Sequence, residues 1–282
     1  MIIPSDIPNQ KQSTFSQNYQ NITKGTNKLF LFAGDQKIEH LNDDYFGKNI
    51  TQEDKNPEHL FQIASQSEIG CFATQYGLIT RYANKYPNIP YIVKVNSKTN
   101  ATKMDPLSKA LVDIEDIIKL RDNGVNIVGI GYTIYPGSKY ENQMFSEAGR
   151  LIAAAHREGL VTIIWSYPRG KHITDETDPH LIAGAAGIAA CLGADFVKVN
   201  LPRKAEDPYE ALKEAIQAAG NTGLITAGGS SKPAKEFLDQ TAKIQHAGAA
   251  GSAVGRNIHQ KPLKEAIEFC SEIAKTVYHQ KS

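Results

Sequence analysis

Short apolar runs alternate with longer amphipathic stretches along most of this 282-residue chain. The short runs are rich in β-branched and aromatic residues and stop at Gly, Asp, Asn or Pro, which predicts strands. The longer stretches repeat their apolar residues with a helical spacing, and several end at a glycine that suits a helix C-cap. Eight strands are predicted, at 29–35, 71–77, 91–97, 126–133, 160–167, 195–202, 223–230 and 250–257. The clearest helices are predicted at 106–124, 147–159, 179–193 and 208–221.

Eight strands alternating with helices indicate a parallel sheet of the α/β class. This length fits a single closed (β/α)₈ TIM barrel, predicted over residues 28–282. The alternative is an open doubly wound sheet, which normally carries a G-x-G-x-x-G fingerprint after its first strand. The segment AGDQKIEH (33–40) has no such fingerprint, so the barrel is favoured. Residues 1–27 are mostly polar and are predicted to form an extended or partly disordered N-terminal arm; packing on a neighbouring subunit is the alternative.

Composition narrows the class of protein. The chain is 41% hydrophobic and 22% charged, and its net charge is +1 with both signs interspersed. Such a balance indicates neither a nucleic-acid nor a membrane partner. Three cysteines at long spacings suggest neither a disulfide framework nor a zinc knuckle, which is typical of a reducing cytoplasm. We expect a cytoplasmic protein, because no signal-peptide pattern and no membrane-spanning apolar run are present.

The strand DFVKVNLP (195–202) contains a lysine in an otherwise buried pattern. Side chains alternate between the two faces of a strand, so Lys198 shares a face with Asn200, while Val197 and Val199 share the other. Valines suit the helix-covered outside of a barrel, so Lys198 is predicted to point inward. An isolated ammonium there is costly unless it is paired or neutralised. The same phasing places further side chains at the C-terminal mouth, where barrels carry their functional residues: Asp35, Lys94, Trp165 and Tyr167.

Each of these residues also has a purely structural interpretation. A lysine near a strand end can be a solvated rim residue or half of a salt bridge, a strand-terminal Asp can cap a helix, and Trp or Tyr can be core aromatics. Together they form the side chains that Schiff-base chemistry needs. A desolvated amine has a lowered pKa and attacks carbonyls, and a phenol or carboxylate then transfers protons.

Two glycine-rich turns follow the last two predicted strands, in TAGGSSKP (226–233) and AGSAVGRN (250–257). Turns in these serial positions of a barrel can bind phosphate through backbone N–H groups. The alternative is that the glycines only permit tight turns and that the adjacent arginine forms a surface ion pair. The phosphate-site candidates are Gly228, Gly229, Ser230, Gly255 and Arg256.

The sequence shows no metal or nucleotide motif. It contains neither G-x-x-x-x-G-K-[ST] nor H-E-x-x-H, and its eight histidines are scattered. The pair of acid and histidine in KIEH (37–40) is interpreted as loop structure. No metal ion or organic cofactor is therefore expected.

At these residues the sequence resembles the archaeal-type class I fructose-bisphosphate aldolases of the DhnA-like family. The resemblance runs in order through about residues 28–275, and its motifs are GDQKIEH (34–40), WSYPRG (165–170), FVKVN (196–200), AGGSSKP (227–233) and AVGRNIHQ (253–260). Gln36-Lys37 and Leu201-Pro202 depart from the family pattern on either side of the substrate, which leaves the identity of the sugar phosphate open.

The resemblance implies a homo-oligomeric aldolase in which Lys198 forms the Schiff base. It also implies that Tyr167 transfers protons beside Trp165, that Asp35 is the acid after strand one, and that the glycine turns hold phosphate. Lys94 and Arg169 are further candidates for substrate binding. Fructose 1,6-bisphosphate is the leading substrate. A ketose-transferring synthase or thiolase of the same family, or a barrel that binds a phosphometabolite without a covalent bond, are the alternatives.

Overall fold

The computed structural model describes residues 1–279 and contains the predicted closed barrel of eight parallel strands, in which each strand pairs with its sequence neighbours and β8 pairs with β1. Leu29 of β1 aligns with Gly251 of β8, which closes the sheet. The strands are β1 Leu29–Ala33, β2 Cys71–Gln75, β3 Tyr91–Lys94, β4 Ile127–Ile134, β5 Val161–Ser166, β6 Phe196–Val199, β7 Gly223–Ala227 and β8 Gly251–Val254.

One helix precedes the barrel, and the other helices follow its strands. They are α1 Gln12–Thr23, α2 Gln36–Glu39, α3 Glu58–Gln66, α4 Tyr76–Tyr82, α5 Ile114–Asp122, α6 Glu141–Arg157, α7 Pro179–Cys191, α8 Pro208–Ala219, α9 Ala234–His246, α10 Arg256–His259 and α11 Leu263–Tyr278. Two 3₁₀ turns lie at Asn9–Lys11 and Gln52–Lys55. Asp178 and Asp207 cap α7 and α8 by accepting hydrogen bonds from first-turn amides, and Pro stands in the first turn of both helices.

The prediction that residues 1–27 form an extended or partly disordered arm was wrong. This segment contains α1, whose Phe15 and Ile22 are fully buried. Tyr19 stacks on Phe196 at the start of β6, with ring centroids 5.4 Å apart, and Asn18 donates a hydrogen bond to the carbonyl of Gly159, just before β5. α1 therefore lies across the N-terminal end of the barrel and closes it, on the side opposite the functional mouth.

A buried histidine fastens the start of this segment. His156, at the end of α6, contacts Asp6 through Nδ1 at 2.9 Å and Asp195 through Nε2 at 3.2 Å. Burial alone would lower the pKa of His156, but hydrogen bonds to the two carboxylates and their charges outweigh burial and raise it. The N-terminal segment is thus held by a charged as well as an apolar contact.

The predicted helix at 106–124 is also shorter than expected. Only Ile114–Asp122 is helical, whereas 106–113 is a loop in which Ala110 pairs with Asn96 in an isolated bridge. The amide of Ala110 donates to Glu147 of α6 at 2.8 Å, and Leu111 is 60% exposed. The apolar spacing of this stretch is helical, but its side chains do not share one buried face. Within residues 1–279, no helix is both long and apolar enough to cross a bilayer.

Candidate active site

A cavity of about 110 Å³ opens at the C-terminal ends of the strands. Every strand from β5 to β8, together with the segment after β1, contributes to its wall. The lining residues are Asp35, Gln36, Glu39, His40, Trp165, Tyr167, Arg169, Lys198, Asn200, Ala227, Gly228, Gly229, Ala253, Gly255 and Arg256. Nine of the eleven predicted site residues therefore meet at one cavity, whereas Lys94 and Ser230 lie outside its wall.

Lys198 is on the inner face of β6 and is 6% exposed. Its ammonium lies 5.2 Å from the centroid of the Trp165 ring, on the neighbouring strand β5, and makes no hydrogen bond or ion pair with another described residue. Burial lowers the pKa of Lys198; the carboxylates of Asp35 and Glu39 oppose this shift, and Arg256 adds to it. A buried lysine with a lowered pKa supplies more of the neutral amine that attacks a carbonyl.

The Trp165 ring lies against β4 at Gly131. A Cβ at position 131 would lie 2.3 Å from Cζ3 of the ring, so only glycine leaves room for the indole here. The side chain is 2% exposed, and its Nε1 is buried without a hydrogen-bond partner. The indole is thus fixed by packing, while its one donor stays unpaired.

Lys94, on β3, is buried and does not line the cavity. Its ammonium is 5.5 Å from the centroid of the Trp165 ring and donates to the carbonyl of Asn96 at 2.5 Å and to its Oδ1 at 2.9 Å. Burial lowers the pKa of Lys94 to about 8, although the charges of Asp35 and Glu39 act in the opposite direction. The structure brings Lys94 close to the site but turns its ammonium toward Asn96.

Asp35 follows β1 and stands directly before the one-turn helix α2. Its side chain accepts no hydrogen bond from the amides of that helix, and its Oδ1 is buried without a partner. The backbone is held instead, because Gln75 of β2 donates through Nε2 to the carbonyl of Asp35 at 2.7 Å. A carboxylate that caps nothing and lines the cavity is placed for proton transfer.

Tyr167 follows β5 and is 7% exposed. Burial raises the pKa of its phenol well above the usual value, and the charges of Asp35 and Glu39 raise it further. The guanidinium carbon of Arg169 lies 5.2 Å from the ring centroid. The free protein therefore keeps Tyr167 as a neutral phenol that can donate a proton.

Sequence reasoning missed two polar residues of α2 and its C-cap. Glu39 accepts a hydrogen bond from Arg169 at 2.8 Å, and Arg169 also pairs with Glu176. His40 contacts Asp44 at 2.5 Å, and Asp44 lies 3.5 Å from Arg256. KIEH is not a loop, as the sequence had suggested, because Gln36–Glu39 form α2; Glu39 and the C-cap residue His40 line the cavity. Their closeness in sequence to Asp35 was the available signal.

The glycine turns after β7 and β8 meet at the cavity, but the amide of Gly228 cannot serve as the predicted phosphate donor. The N–H of Gly228 donates to the carbonyl of Ala253 at 2.8 Å, because the hydrogen-bond ladder between β7 and β8 continues one residue beyond β7; this amide is not available to a ligand. The amides of Gly229, Ser230 and Gly255 make no hydrogen bond within the part of the chain that is described.

Asn257 joins the two turns. Its Nδ2 donates to the carbonyl of Ser230 at 3.2 Å, and its Oδ1 accepts from the amide of Lys232 at 3.0 Å. Asn257 is 1% exposed and was not identified from the sequence. Arg256, one residue earlier, is held beside the cavity by Asp44. The two turns thus form one rigid corner with unpaired amides and a guanidinium, which suits an anion.

The described residues contain no group of three or more His, Cys, Asp or Glu side chains arranged to hold a metal ion.

Comparisons with known proteins agree on one family. The family described as DeoC/LacD family aldolase matches residues 29–261. A curated relative from Methanocaldococcus jannaschii, named fructose-bisphosphate aldolase/6-deoxy-5-ketofructose 1-phosphate synthase, is 57% identical over 274 residues, which cover 96% of this chain and 88% of the relative.

Two solved structures are similar over nearly the whole chain. The fructose-bisphosphate aldolase from Slackia heliotrinireducens has a TM-score of 0.98 at 51% identity, covering 100% of this chain and 91% of its own. An archaeal fructose-1,6-bisphosphate aldolase, solved with its catalytic lysine covalently bound to the carbinolamine intermediate of the substrate, has a TM-score of 0.82 at 30% identity. That match covers 94% of this chain and 99% of the other.

Proposed function

This chain belongs to the DeoC/LacD family of aldolases and is a Schiff-base-forming, class I aldolase, and we propose that it cleaves fructose 1,6-bisphosphate through Lys198. The products would be dihydroxyacetone phosphate and glyceraldehyde 3-phosphate. The observation that carries the assignment is the buried, unpaired ammonium of Lys198 in a cavity that it shares with Asp35 and Tyr167. The iminium formed on the lysine is itself the electron sink, so the proposed reaction uses no metal.

The proposed sequence of steps begins when the neutral amine of Lys198 attacks the C2 ketone. Asp35 assists loss of water from the carbinolamine and then accepts the proton of the C4 hydroxyl as the C3–C4 bond breaks. The aldehyde leaves, and the electron pair of the broken bond forms an enamine on Lys198. Tyr167 protonates this enamine at C3, and hydrolysis of the iminium releases dihydroxyacetone phosphate.

The phosphate next to the ketone is proposed to bind at the corner between the β7 and β8 turns. Gly229, Ser230 and Gly255 offer unpaired amides, and Arg256 offers a guanidinium. A dianion held there would direct the adjacent carbonyl carbon toward Lys198. We assign Arg169 to contact with the substrate because it lines the cavity beside Tyr167.

Reductive trapping tests the nucleophile. Borohydride with fructose 1,6-bisphosphate should give a covalent adduct that peptide mapping places on Lys198, and Lys198→Met should abolish it. Lys119→Met, on the exposed surface of α5, is the matched control and should be trapped like the wild type. An adduct mapped to Lys94 would refute the assignment. If no phosphorylated ketose gives an adduct, the result would favour a barrel that binds a phosphorylated metabolite without forming a covalent bond.

Product analysis tests the reaction type. The M. jannaschii relative carries a synthase name beside the aldolase name, so the assay should run with and without a second aldehyde acceptor. Release of glyceraldehyde 3-phosphate without an acceptor is the expected result. A strict requirement for an acceptor aldehyde, or for coenzyme A, would instead identify a transferase.

We further propose a cytoplasmic homo-oligomer. The three cysteines are free, and two of them, Cys71 and Cys270, are buried, which suits a reducing compartment. Light scattering on the purified protein measures the oligomeric state, and a monomer at micromolar concentration would contradict this part of the proposal.

A further inference from the structure

Three buried polar atoms at the cavity have no hydrogen-bond partner in the described chain. They are Oδ1 of Asp35, Oε1 of Gln36 and Nε1 of Trp165, and all three residues line the cavity. Buried polar groups are almost always hydrogen-bonded in native proteins, so three unpaired atoms around one cavity indicate partners that the ligand supplies. Asp35 and Trp165 already belong to the proposed machinery, but Gln36 has no role yet.

Gln36 is the first residue of α2, and its amide packs against the turn after β8. A Cβ at position 255 would lie 2.2 Å from Nε2 of Gln36 and 2.8 Å from the carbonyl oxygen of Ala33. Gly255 therefore leaves the space that the Gln36 amide fills. This packing fixes the amide between Asp35, on one side, and the proposed phosphate corner, on the other. The next residue, Lys37, points elsewhere, with its ammonium 4.2 Å from the centroid of the Tyr45 ring.

The unpaired atom of Gln36 restricts what can satisfy it. An amide oxygen is only an acceptor, so its partner must be a donor. In dihydroxyacetone phosphate, the three-carbon unit that stays on the enzyme in the proposed reaction, the phosphate dianion and the ketone oxygen are acceptors. The hydroxyl on C3 is the one donor of this unit, and it lies next to the carbonyl carbon that Lys198 attacks.

We propose that Gln36 is a specificity-determining residue whose Oε1 accepts a hydrogen bond from the hydroxyl adjacent to the ketose carbonyl. This inference rests on the proposed function, since it takes the carbonyl to be bound to Lys198. It leaves the Asp35 carboxylate free for the proton of the C4 hydroxyl. A ketone phosphate without the adjacent hydroxyl would leave the buried amide oxygen unpaired, and a site built in this way discriminates against such a ligand.

The test compares two ketones that differ only in that hydroxyl. Dihydroxyacetone phosphate and hydroxyacetone phosphate carry the same ketone and the same phosphate, and borohydride trapping measures how efficiently each forms the Schiff base. The ratio of the two trapping efficiencies is determined for the wild type and for Gln36→Met, which keeps the side-chain length but removes its polar atoms. Intrinsic differences between the ketones cancel when the two ratios are compared.

Gln36→Met should reduce the preference for dihydroxyacetone phosphate by about 10-fold, the value of one hydrogen bond to a buried group. Lys37→Met, on the same helical turn but directed away from the cavity, should keep the wild-type ratio. Gln36→Glu retains an acceptor at the same place and should also keep the preference, even if its added charge weakens the binding of both phosphates. This second variant covers the case in which Gln36→Met fails to fold.

An unchanged ratio in Gln36→Met would overturn the inference, because another group would then bind the hydroxyl. If the ratio is unchanged because both ketones lose trapping efficiency equally, the amide serves the phosphate or the iminium nitrogen instead. Loss of the preference in Gln36→Glu would likewise contradict it. If the wild-type protein traps neither ketone, the proposed function itself fails, and the inference fails with it.

Discussion

Lys94 is a second buried lysine beside the proposed nucleophile, and replacing it should change the pH dependence of Schiff-base formation. Both ammonium groups lie within 5.5 Å of the centroid of the Trp165 ring, so they are less than about 11 Å apart. At an effective dielectric constant of about 20, two unit charges no farther apart than that repel each other by at least about 1.5 kcal/mol. An energy of this size changes an equilibrium constant by about 10-fold.

The sign follows from the charge of Lys94. Its pKa is about 8, so it is a cation at neutral pH and disfavours a second cation on Lys198. Because the repulsion between the two ammonium groups acts on both, Lys94→Met should raise the pKa of Lys198, move the acid side of the pH profile upward and slow trapping at neutral pH by about 10-fold. At pH values above both pKa values the two amines are neutral, so the rates of variant and wild type should converge.

The assay is the rate of cyanoborohydride trapping of dihydroxyacetone phosphate across the pH range. Lys94→Gln is the matched control for lost polarity, because it removes the charge but keeps a polar end, and it should shift the profile as much as Lys94→Met. Asn96 keeps other partners in both variants, since its Nδ2 donates to the carbonyls of Ser108 and Thr133 at 2.9 and 2.8 Å. An unshifted profile in both variants, or a downward shift, would refute the argument.

Three further predictions concern the proton donor, the phosphate corner and the N-terminal segment. Tyr167→Phe should preserve reductive trapping but slow exchange of the C3 proton of dihydroxyacetone phosphate by about 10²–10⁴-fold, and exchange at the wild-type rate would assign that step to another group. Arg256→Ala should weaken binding of phosphorylated ketoses by about 1.5–3 kcal/mol and leave unphosphorylated dihydroxyacetone unaffected; equal effects on the two would contradict a phosphate contact. His156→Gln should reduce stability to urea more at pH 6 than at pH 9, because the raised pKa of His156 contributes stability that is present at low pH and is lost as pH rises through that pKa. A pH-independent difference would show that the ion pairs with Asp6 and Asp195 add nothing.

The barrel could be predicted because its signal is local and repeated. Each strand is a short β-rich run that ends at a turn residue, and seven of the eight observed strands lie within the predicted ranges, while β4 extends one residue beyond its own. The inward direction of Lys198 follows from the alternation of side chains along one strand, which needs no knowledge of neighbouring elements. α1 has a weaker local signal: Phe15, Tyr19 and Ile22 have helical spacing, but the polar residues around them hide it.

The details of the site depend on contacts between distant parts of the chain. The N–H of Gly228 is already hydrogen-bonded to Ala253 because β7 and β8 align in one particular register, which no local sequence pattern reveals. The pairing of Glu39 with Arg169 joins residues 130 positions apart. Gln36 acquires its place only from the turn after β8, where Gly255 makes room for it. Residue types could therefore be nominated from the sequence, but not their partners.

The attachment of α1 to the bottom of the barrel has a consequence for synthesis on the ribosome. Phe15 and Ile22 are synthesised well before the segments that bury them are complete, and Asp6 meets His156 only 150 positions later in the chain. At about 5–20 residues per second, α1 waits for roughly 8–30 seconds with its apolar face uncovered. Closure of the sheet comes later still, because β1 must wait for β8. The topology therefore sets the order of docking: the N-terminal segment can dock only after the chain has reached the end of α6 and β5, and the seam between β1 and β8 closes last.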